Sequence, residues 1–537
     1  MSLLLVFTDF ADWTSAAAIP QIHYAINRMF RIAWIIIYIV LLCLAIWQVA
    51  TVIIKFLSYP SAIVPYMQFG SQQFPVINIC PGNPYPWDKV NSTGGFGNIA
   101  ALASQYALVM GGGWSDVTPD TFGLNAEMTR YEKTSFANEA LVLLAAQLTT
   151  AQIDAVSPDI SDFILQCNFN GVPCSTSDFT AFYDATYGKC YSFNSNGTFK
   201  TNRAGTNYGL SLVALAAQQR PNGNKVMLPM TTGAGVILNV NSINESPEMH
   251  SQAITAPVKQ QTLIGFTKTR ISRLGKPYSE CASTDAMTTL YYPNNIYTQD
   301  LCYNACMQKH IYESIQCADP RLGRPAAFPV CTTAKLTALR SLRDNQDKNN
   351  ANYFDPIQSC DCKLPCDEVD YDKTVTFALA PQNGYNFLPS SMSDQTYSCS
   401  CVVNCTFGST AECTSWFQEN TVHMKFYFES LDYDLYEETA SYTFSQMTNE
   451  LGGQLSLFLG ISIISIVEMG ALIVVAMMYV CYGRRYRVHP DEDDYSKDIR
   501  IQDVANLRDE LDIHENLDAR LRNRAARLQR EREAVLD

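Results

Sequence analysis

The stretch 451–479, LGGQLSLFLGISIISIVEMGALIVVAMMY, decides how this chain is built. It is long and apolar enough to cross a bilayer, which takes about 20 apolar residues. It also carries Gln454, the step Gly460-Ile461-Ser462 and one ionisable residue, Glu468. A carboxylate inside a span costs about 2.5–3.5 kcal/mol on insertion, so its first reading is functional: an ion path, a relay or a counter-ion. The plainer reading is a polar residue that joins helices in an oligomer. Gly and Ser just before the Glu favour the ion path, because non-helical backbone inside a membrane is tolerated where it lines a water-filled passage.

A second apolar run, 34–54 (WIIIYIVLLCLAIWQVATVII), contains no charge. No other segment is long and apolar enough to span. The pattern predicts a two-pass membrane protein with nearly all its mass between the spans. The charged fraction, 17%, agrees, being below the roughly 25% of soluble domains. Arg28 and Arg31 precede the first span, and Arg484, Arg485 and Arg487 follow the second, which puts both termini in the cytoplasm. The start is no cleavable signal: the apolar residues 3–7 are too few, and Asp9 and Asp12 follow them. The expected divisions are a cytoplasmic arm (1–31), a first membrane helix (32–57), an extracellular domain (58–447), a second, pore-lining helix (448–480) and a charged cytoplasmic tail (481–537).

Cysteine usage supports this orientation. Of 18 Cys, Cys43 lies in the first span and Cys481 at the end of the second, and the other 16 fall between Cys80 and Cys413. An even count confined to one side of a membrane reads as a disulfide framework in an oxidising compartment. Glycosylation sequons at Asn91, Asn196, Asn244 and Asn404 lie on the same side. The net charge of −14 argues against nucleic acid as a partner and, on an outer surface, favours cations.

The extracellular portion is large enough for a substantial core. Val236 to Asn241 is β-rich, whereas 138–148 and 210–219 read as helices. The Cys-dense half begins with Cys302 and Cys306 on one helix, followed by Cys317, Cys331, Cys360, Cys362, Cys366, Cys399, Cys401, Cys405 and Cys413. Residues 422–436 alternate, with Val422, Met424, Phe426 and Phe428 on one face of a strand. The acids Glu429, Asp432, Asp434, Glu437 and Glu438 form either a solvated strand edge or a vestibule that concentrates cations. In the tail, Val504, Leu507, Leu511, Leu521 and Leu528 keep helical spacing.

Cys360-Asp-Cys362-Lys-Leu-Pro-Cys366 could mimic a zinc site, but outside the cell such clusters form disulfides. A stack of bridges would make a stiff rod. No nucleophile elbow, phosphate-cradling loop or His-Glu-x-x-His pair is present, so the chain carries no enzyme signature and no metal site. His250, His310 and His423 read as surface or packing residues.

Several segments together resemble the degenerin / epithelial sodium channel superfamily. Phe74-Pro-Val-Ile-Asn-Ile-Cys80-Pro-Gly-Asn-Pro84-Tyr resembles its signature after the first span. The block Cys167-Asn-Phe-Asn-Gly-Val-Pro-Cys174, then Tyr187-Gly-Lys-Cys190-Tyr-Ser-Phe193-Asn194, is similar to the next. Gly233-Ala-Gly235, Cys360-Asp-Cys362 with Pro365-Cys366, and the ending from Leu451 through Ser462 to Glu468 also fit, as does Cys281 preceded by Tyr278.

The resemblance implies a homotrimeric or heterotrimeric sodium-selective channel of the plasma membrane, blocked by amiloride. Each subunit would have two membrane helices and a disulfide-rich α+β ectodomain shaped like a clenched hand. It implies that Gly460, Ile461 and Ser462 break the second helix and line the selectivity filter. Glu468 would add a ring of carboxylates, with Glu450 at the outer mouth. Tyr59 and Tyr278 match an aromatic contact coupling ectodomain to membrane. No resident cofactor is implied, only permeant sodium and surrounding lipid. Two departures stand out. Ala17 and Ala18 occupy the positions of a His-Gly pair before the first span, and Ala471 replaces an Asp after the pore Glu. The stimulus would be an extracellular ligand. Residues 55–72 hold no His, which weakens proton gating, while the Ile19-Pro20-Gln-Ile22 arm and the chain length resemble invertebrate neuropeptide-gated members. Constitutive opening and a non-conducting receptor or adhesion scaffold are the competing readings.

Overall fold

The structure, a computed structural model, describes residues 10–11, 14, 18–25, 27–111, 122–125, 127–220, 224–345, 347–350, 353–379, 410–482 and 521–527. The chain divides into two compact units, Pro60–Ser441 and the paired segments Met1–Tyr59 and Tyr442–Asp537.

The unit Pro60–Ser441 is organised by its longest strand, Gln260–Ser272. This strand pairs antiparallel along its full length with Asp367–Leu379, and parallel with Thr421–Phe428 and Asp432–Ala440. The resulting eight-stranded mixed sheet runs from the edge strand Ser61–Phe69 through Asp432–Ala440, Gln260–Ser272, Thr421–Phe428 and Gly209–Leu215 to Ile164–Phe169 and Val172–Pro173. A five-stranded sheet holds Ile254–Pro257, Gly235–Asn241, Val76–Pro81, Gly188–Phe193 and Phe179–Asp184 in that order. Between them lies an aromatic core. Phe266 and Phe428 meet edge to face at 4.5 Å, and Phe74 and Phe169 at 5.0 Å. Such pairs add about 0.5–1.5 kcal/mol beyond their buried area.

The strand expected over 236–241 is present, as is the alternation that buries Val422, Met424, Phe426 and Phe428. The helix expected over 138–148 is the end of Arg130–Ala145. Two expectations fail. Residues 210–219 do not form a helix: Gly209–Leu215 is a strand inserted between Thr421–Phe428 and Ile164–Phe169. Leu210, Leu212 and Ala214 are buried on one face, and Val213 is buried too. A strand covered on both faces loses its polar alternation and imitates a helix. The run 422–436 is likewise two strands, Thr421–Phe428 and Asp432–Ala440, because the chain turns at 429–431.

Six disulfides hold this unit: Cys80–Cys190, Cys167–Cys174, Cys281–Cys366, Cys302–Cys362, Cys306–Cys360 and Cys317–Cys331. Cys302 and Cys306 sit one turn apart on the helix Gln299–Ile315, so two bridges fasten one face of it to residues 360–362. The cysteines that could have mimicked a zinc site are all bridged, and no metal-holding cluster occurs among the described residues. Cys399, Cys401 and Cys405, with Asn404, lie outside the described residues, as does the side chain of Cys413.

In the other unit the helix Arg28–Leu57 begins four residues before the expected start at 32. Its 30 residues extend about 45 Å at 1.5 Å per residue, more than the ~30 Å hydrocarbon layer. It is the one unbroken helix among the described residues long and apolar enough to cross a membrane. The helices Phe444–Leu459 and Ile463–Tyr482 qualify together, as a broken span or re-entrant loop, with a bend of 79° between them. Of the tail, 481–482, at the end of the preceding helix, and 521–527 are described, and both are helical.

Candidate functional site

The bend is specified by local chemistry at both of its lips. Thr443 starts the first helix with a capping box: its hydroxyl accepts from the Gln446 N–H, and the Gln446 side chain accepts from the Thr443 N–H. Gly460 ends that helix in the left-handed region, at φ 62° and ψ 23°. The Gly460 N–H donates to Ser456 O at 2.9 Å, the single 5→1 bond of an αL cap, and the Ile461 N–H reaches back to Leu455 O at 3.4 Å. Glycine adopts this conformation without a Cβ penalty.

Two residues later the next helix is capped from the other side. The Ser462 N–H donates to Ser465 Oγ at 3.1 Å, and the Ser465 N–H to Ser462 Oγ at 3.2 Å. The Ile466 N–H closes on Ser462 O at 3.1 Å. Ser465 is fully buried, whereas Ser462 is exposed. Residues 460–462 therefore lie between the two helices, tied to each only at its end. Carbonyls near a helix C-terminus lack intrahelical donors and are available to a cation. Ser465 was not anticipated. Its signal is the Ser-x-x-Ser spacing, a capping box written without the usual Glu or Gln.

Glu468 lies on Ile463–Tyr482, within two turns of the break, and accepts from Thr14 Oγ1 at 3.1 Å. Thr14 is buried and belongs to the arm, so the structure brings the N-terminal segment against the carboxylate of Glu468. No feature of the sequence around Thr14 distinguished it. Ala18 opens the helix Ala18–Tyr24, and Ala17 lies outside the described residues.

Glu450 is fastened within its own subunit. Its Oε2 accepts from Tyr442 Oη at 2.5 Å and lies 3.5 Å from Lys55 Nζ, which sits 4.2 Å above the Tyr442 ring. Phe56 packs edge-on against Tyr442 and Phe444. Lys55 and Tyr442 were also missed by sequence reasoning.

The profile of the family Amiloride-sensitive sodium channel matches residues 10–472, from the arm past Glu468. The chain belongs to that family. Degenerin-like protein asic-2 of Caenorhabditis elegans is 36% identical over 513 residues, covering 94% of this chain and 93% of that protein. Degenerin unc-8 of the same animal is 28% identical over 358 residues, covering 66% of this chain and 44% of that longer protein. Epithelial sodium channel subunit alpha of Neoceratodus forsteri is 24% identical over 535 residues, covering 86% and 78%. This family comprises membrane ion channels, not enzymes.

The remaining expected residues of this family member are placed as follows. Tyr59, at φ 45°, follows the helix Arg28–Leu57, with its N–H on Phe56 O at 3.1 Å. Tyr278 lies in the other unit, where its N–H donates to Gly275 O at 3.0 Å. Asn91, Asn196 and Asn244 are all exposed. Of the acids, Glu438 is structural. It accepts from Ser61 Oγ at 2.6 Å, from the Leu274 N–H at 2.9 Å and from Ser279 Oγ at 2.8 Å, and these bonds hold its carboxyl below the usual range. The histidines pack. His310 stacks on Phe354 at 4.1 Å, His250 stacks on Tyr187, and burial pushes His423 down to about 4. A group so depressed stays neutral across physiological pH.

Proposed function

We propose that this chain is a subunit of a trimeric, sodium-selective, amiloride-sensitive channel of the plasma membrane, with two spans per subunit and both termini cytoplasmic. The observation that carries this reading is the doubly capped break at 460–462, ahead of Glu468. Three such steps around an axis would offer a small cation backbone carbonyls and Ser462 hydroxyls in place of part of its hydration shell. Three Glu468 carboxylates would add the negative field that favours cations. Glu450 would lie at the outer mouth, with Lys55 setting its position, and Tyr59 and Tyr278 would couple the ectodomain to the spans. Sodium is the cargo, and no resident cofactor is required.

An extracellular ligand would open the pore by binding one ectodomain state more tightly than the other. A short amidated peptide is the favoured class, because the Ile19-Pro20-Gln-Ile22 arm and the chain length resemble those of neuropeptide-gated members. Of the three described ectodomain histidines His310 and His423 pack, and His250, 3.6 Å from Asp184, is the one the acid steps would probe.

Two-electrode recording in oocytes, with amidated peptides, acid steps and amiloride applied in one session, tests the reading. Ser462→Trp should remove at least nine-tenths of the amiloride-sensitive current at unchanged surface labelling, and Glu468→Ala should reduce sodium selectivity. A non-conducting scaffold would show no current in wild type and no effect of either change. Native mass spectrometry should give three copies per particle.

A further inference from the structure

A cavity of about 170 Å³ lies where the two ectodomain sheets end, remote in sequence from the pore segment. It is lined from three directions. One wall follows the strand Val76–Pro81 and includes Asn83 and Lys89. A second follows Gly209–Leu215 and includes Ala217 and Arg220. The third precedes Ile164–Phe169 and includes Ser157 and Asp162.

The polar groups on these walls do not cancel one another. Asn83 is 3% exposed, and its amide nitrogen donates to Val226 O at 3.0 Å and Ala217 O at 3.4 Å. Those two carbonyls can only accept, so they fix the flip of the amide and leave the oxygen as the free end. That oxygen is buried without a partner, and so is Ser157 Oγ. An unmet buried acceptor costs about 1–3 kcal/mol, so both call for a guest that brings a hydrogen. The charges sort in the same way. Arg220 is satisfied by Asp88, through Nε to Oδ2 at 2.8 Å and Nη2 to Oδ1 at 3.2 Å. Lys89 and Asp162 have no ion-pair partner among the described residues. Ala217 holds a left-handed backbone, φ 46°, at the rim. For a non-glycine residue that is a strained state of the kind found at ligand clamps.

The cavity thus offers one unpaired cation, one unpaired anion, a buried acceptor and a buried hydroxyl. We infer that it is a binding site for a small zwitterion: a free α-amino acid or a close analogue. The carboxylate would face Lys89 and Ser157, and the ammonium would face Asp162 and the Asn83 oxygen. The volume suits this class. It is below the roughly 300–1,000 Å³ of drug-sized pockets and well above the roughly 10–15 Å³ that admits a single water. Because the lining joins the ends of both sheets, such a ligand would tie the two sheets together. The site goes beyond the channel reading, and binding there is measurable whether or not the chain conducts.

The test is saturation binding of tritiated glycine to the full-length protein in lipid nanodiscs, with competition by alanine, serine, N-acetylglycine and glycine methyl ester. Zwitterions should compete, while the two singly charged analogues should compete at least tenfold more weakly. Lys89→Met and Asp162→Asn should each weaken glycine at least tenfold, and Ser157→Ala by less. Should a variant fail to reach the membrane, the singly charged analogues probe the same contacts on unaltered protein. The inference is overturned if no zwitterion binds saturably in the millimolar range, which would leave a water-filled cavity. It is equally overturned if binding survives both charge deletions or tolerates loss of either ligand charge. Oocyte currents are read separately, so failure here leaves the channel reading standing.

Discussion

Among the described residues, two helices are capped in the left-handed conformation, and by different means. Gln299–Ile315 in the ectodomain is capped by Gln316 at φ 58°, and Phe444–Leu459 by Gly460 at φ 62°. Gln316 carries a Cβ, which makes that backbone costly by about 1–2 kcal/mol. Its surroundings enforce it: the next residue, Cys317, is bridged to Cys331, and Ala318 pairs with Val330. Among the described residues no disulfide lies near Gly460, and the bend rests on glycine and the serine pair after it. The ectodomain imposes shape through cross-links and packing, whereas the segment Phe444–Tyr482 writes its shape into the chain at three or four positions.

Removing the cross-link is the strongest way to break this comparison. Replacing Cys317 and Cys331 together by Ala opens a 14-residue loop and should cost about 3 kcal/mol, read as a fall in the ectodomain's thermal midpoint. The break at 460–462 should be untouched, so any surviving surface channels should keep their ion selectivity.

Acid should separate the two regions next. Glu248 accepts from Asn304 on the bridged helix, and burial, with Asp300 and Glu245 adding to it, pushes its carboxyl up to about 7. A carboxyl raised in the folded state contributes stability below its unfolded value near 4.5, and that contribution is lost as pH rises through about 7. Glu248→Gln should therefore stabilise the protein by about 2–3 kcal/mol at pH 8 and leave it unchanged at pH 4. Thermal melts at the two pH values check this.

At the break, Gly460→Val places a β-branched residue in the left-handed region, at a cost of about 1–2 kcal/mol. The segment should relieve it by straightening, and the expected readout is lost sodium selectivity at normal surface density. The smallest effect belongs to the counterpart, Gln316→Gly. Relief of Cβ strain and the added entropy of the unfolded chain nearly offset, leaving a gain of about 0.5 kcal/mol by thermal melt.

Much of the site was legible because its causes are local. The Gly460-Ile461-Ser462 step and the lone Glu468 stand out in an apolar run, and the structure places the break at those three residues. Thr14, Lys55 and Tyr442 were not legible, since each acquires its meaning from a carboxylate 8 to 454 residues away. Gly209–Leu215 was misread for a related reason. Its apolar residues report that they are buried, while the neighbours that make them a strand lie near residues 164 and 421.

The sequence by itself determined the two apolar segments, the side of the chain that carries the cysteines, and the point at which the last helix must break. Each depends on residue type and on neighbours within one or two turns. The tertiary structure alone decided which cysteines join, that Glu450 is held by Lys55 and Tyr442, and that Asn83, Ser157, Lys89 and Asp162 line one cavity. Those are choices among partners far apart along the chain. They are settled by the free energy of packing both sheets at once, which no local window of residues contains.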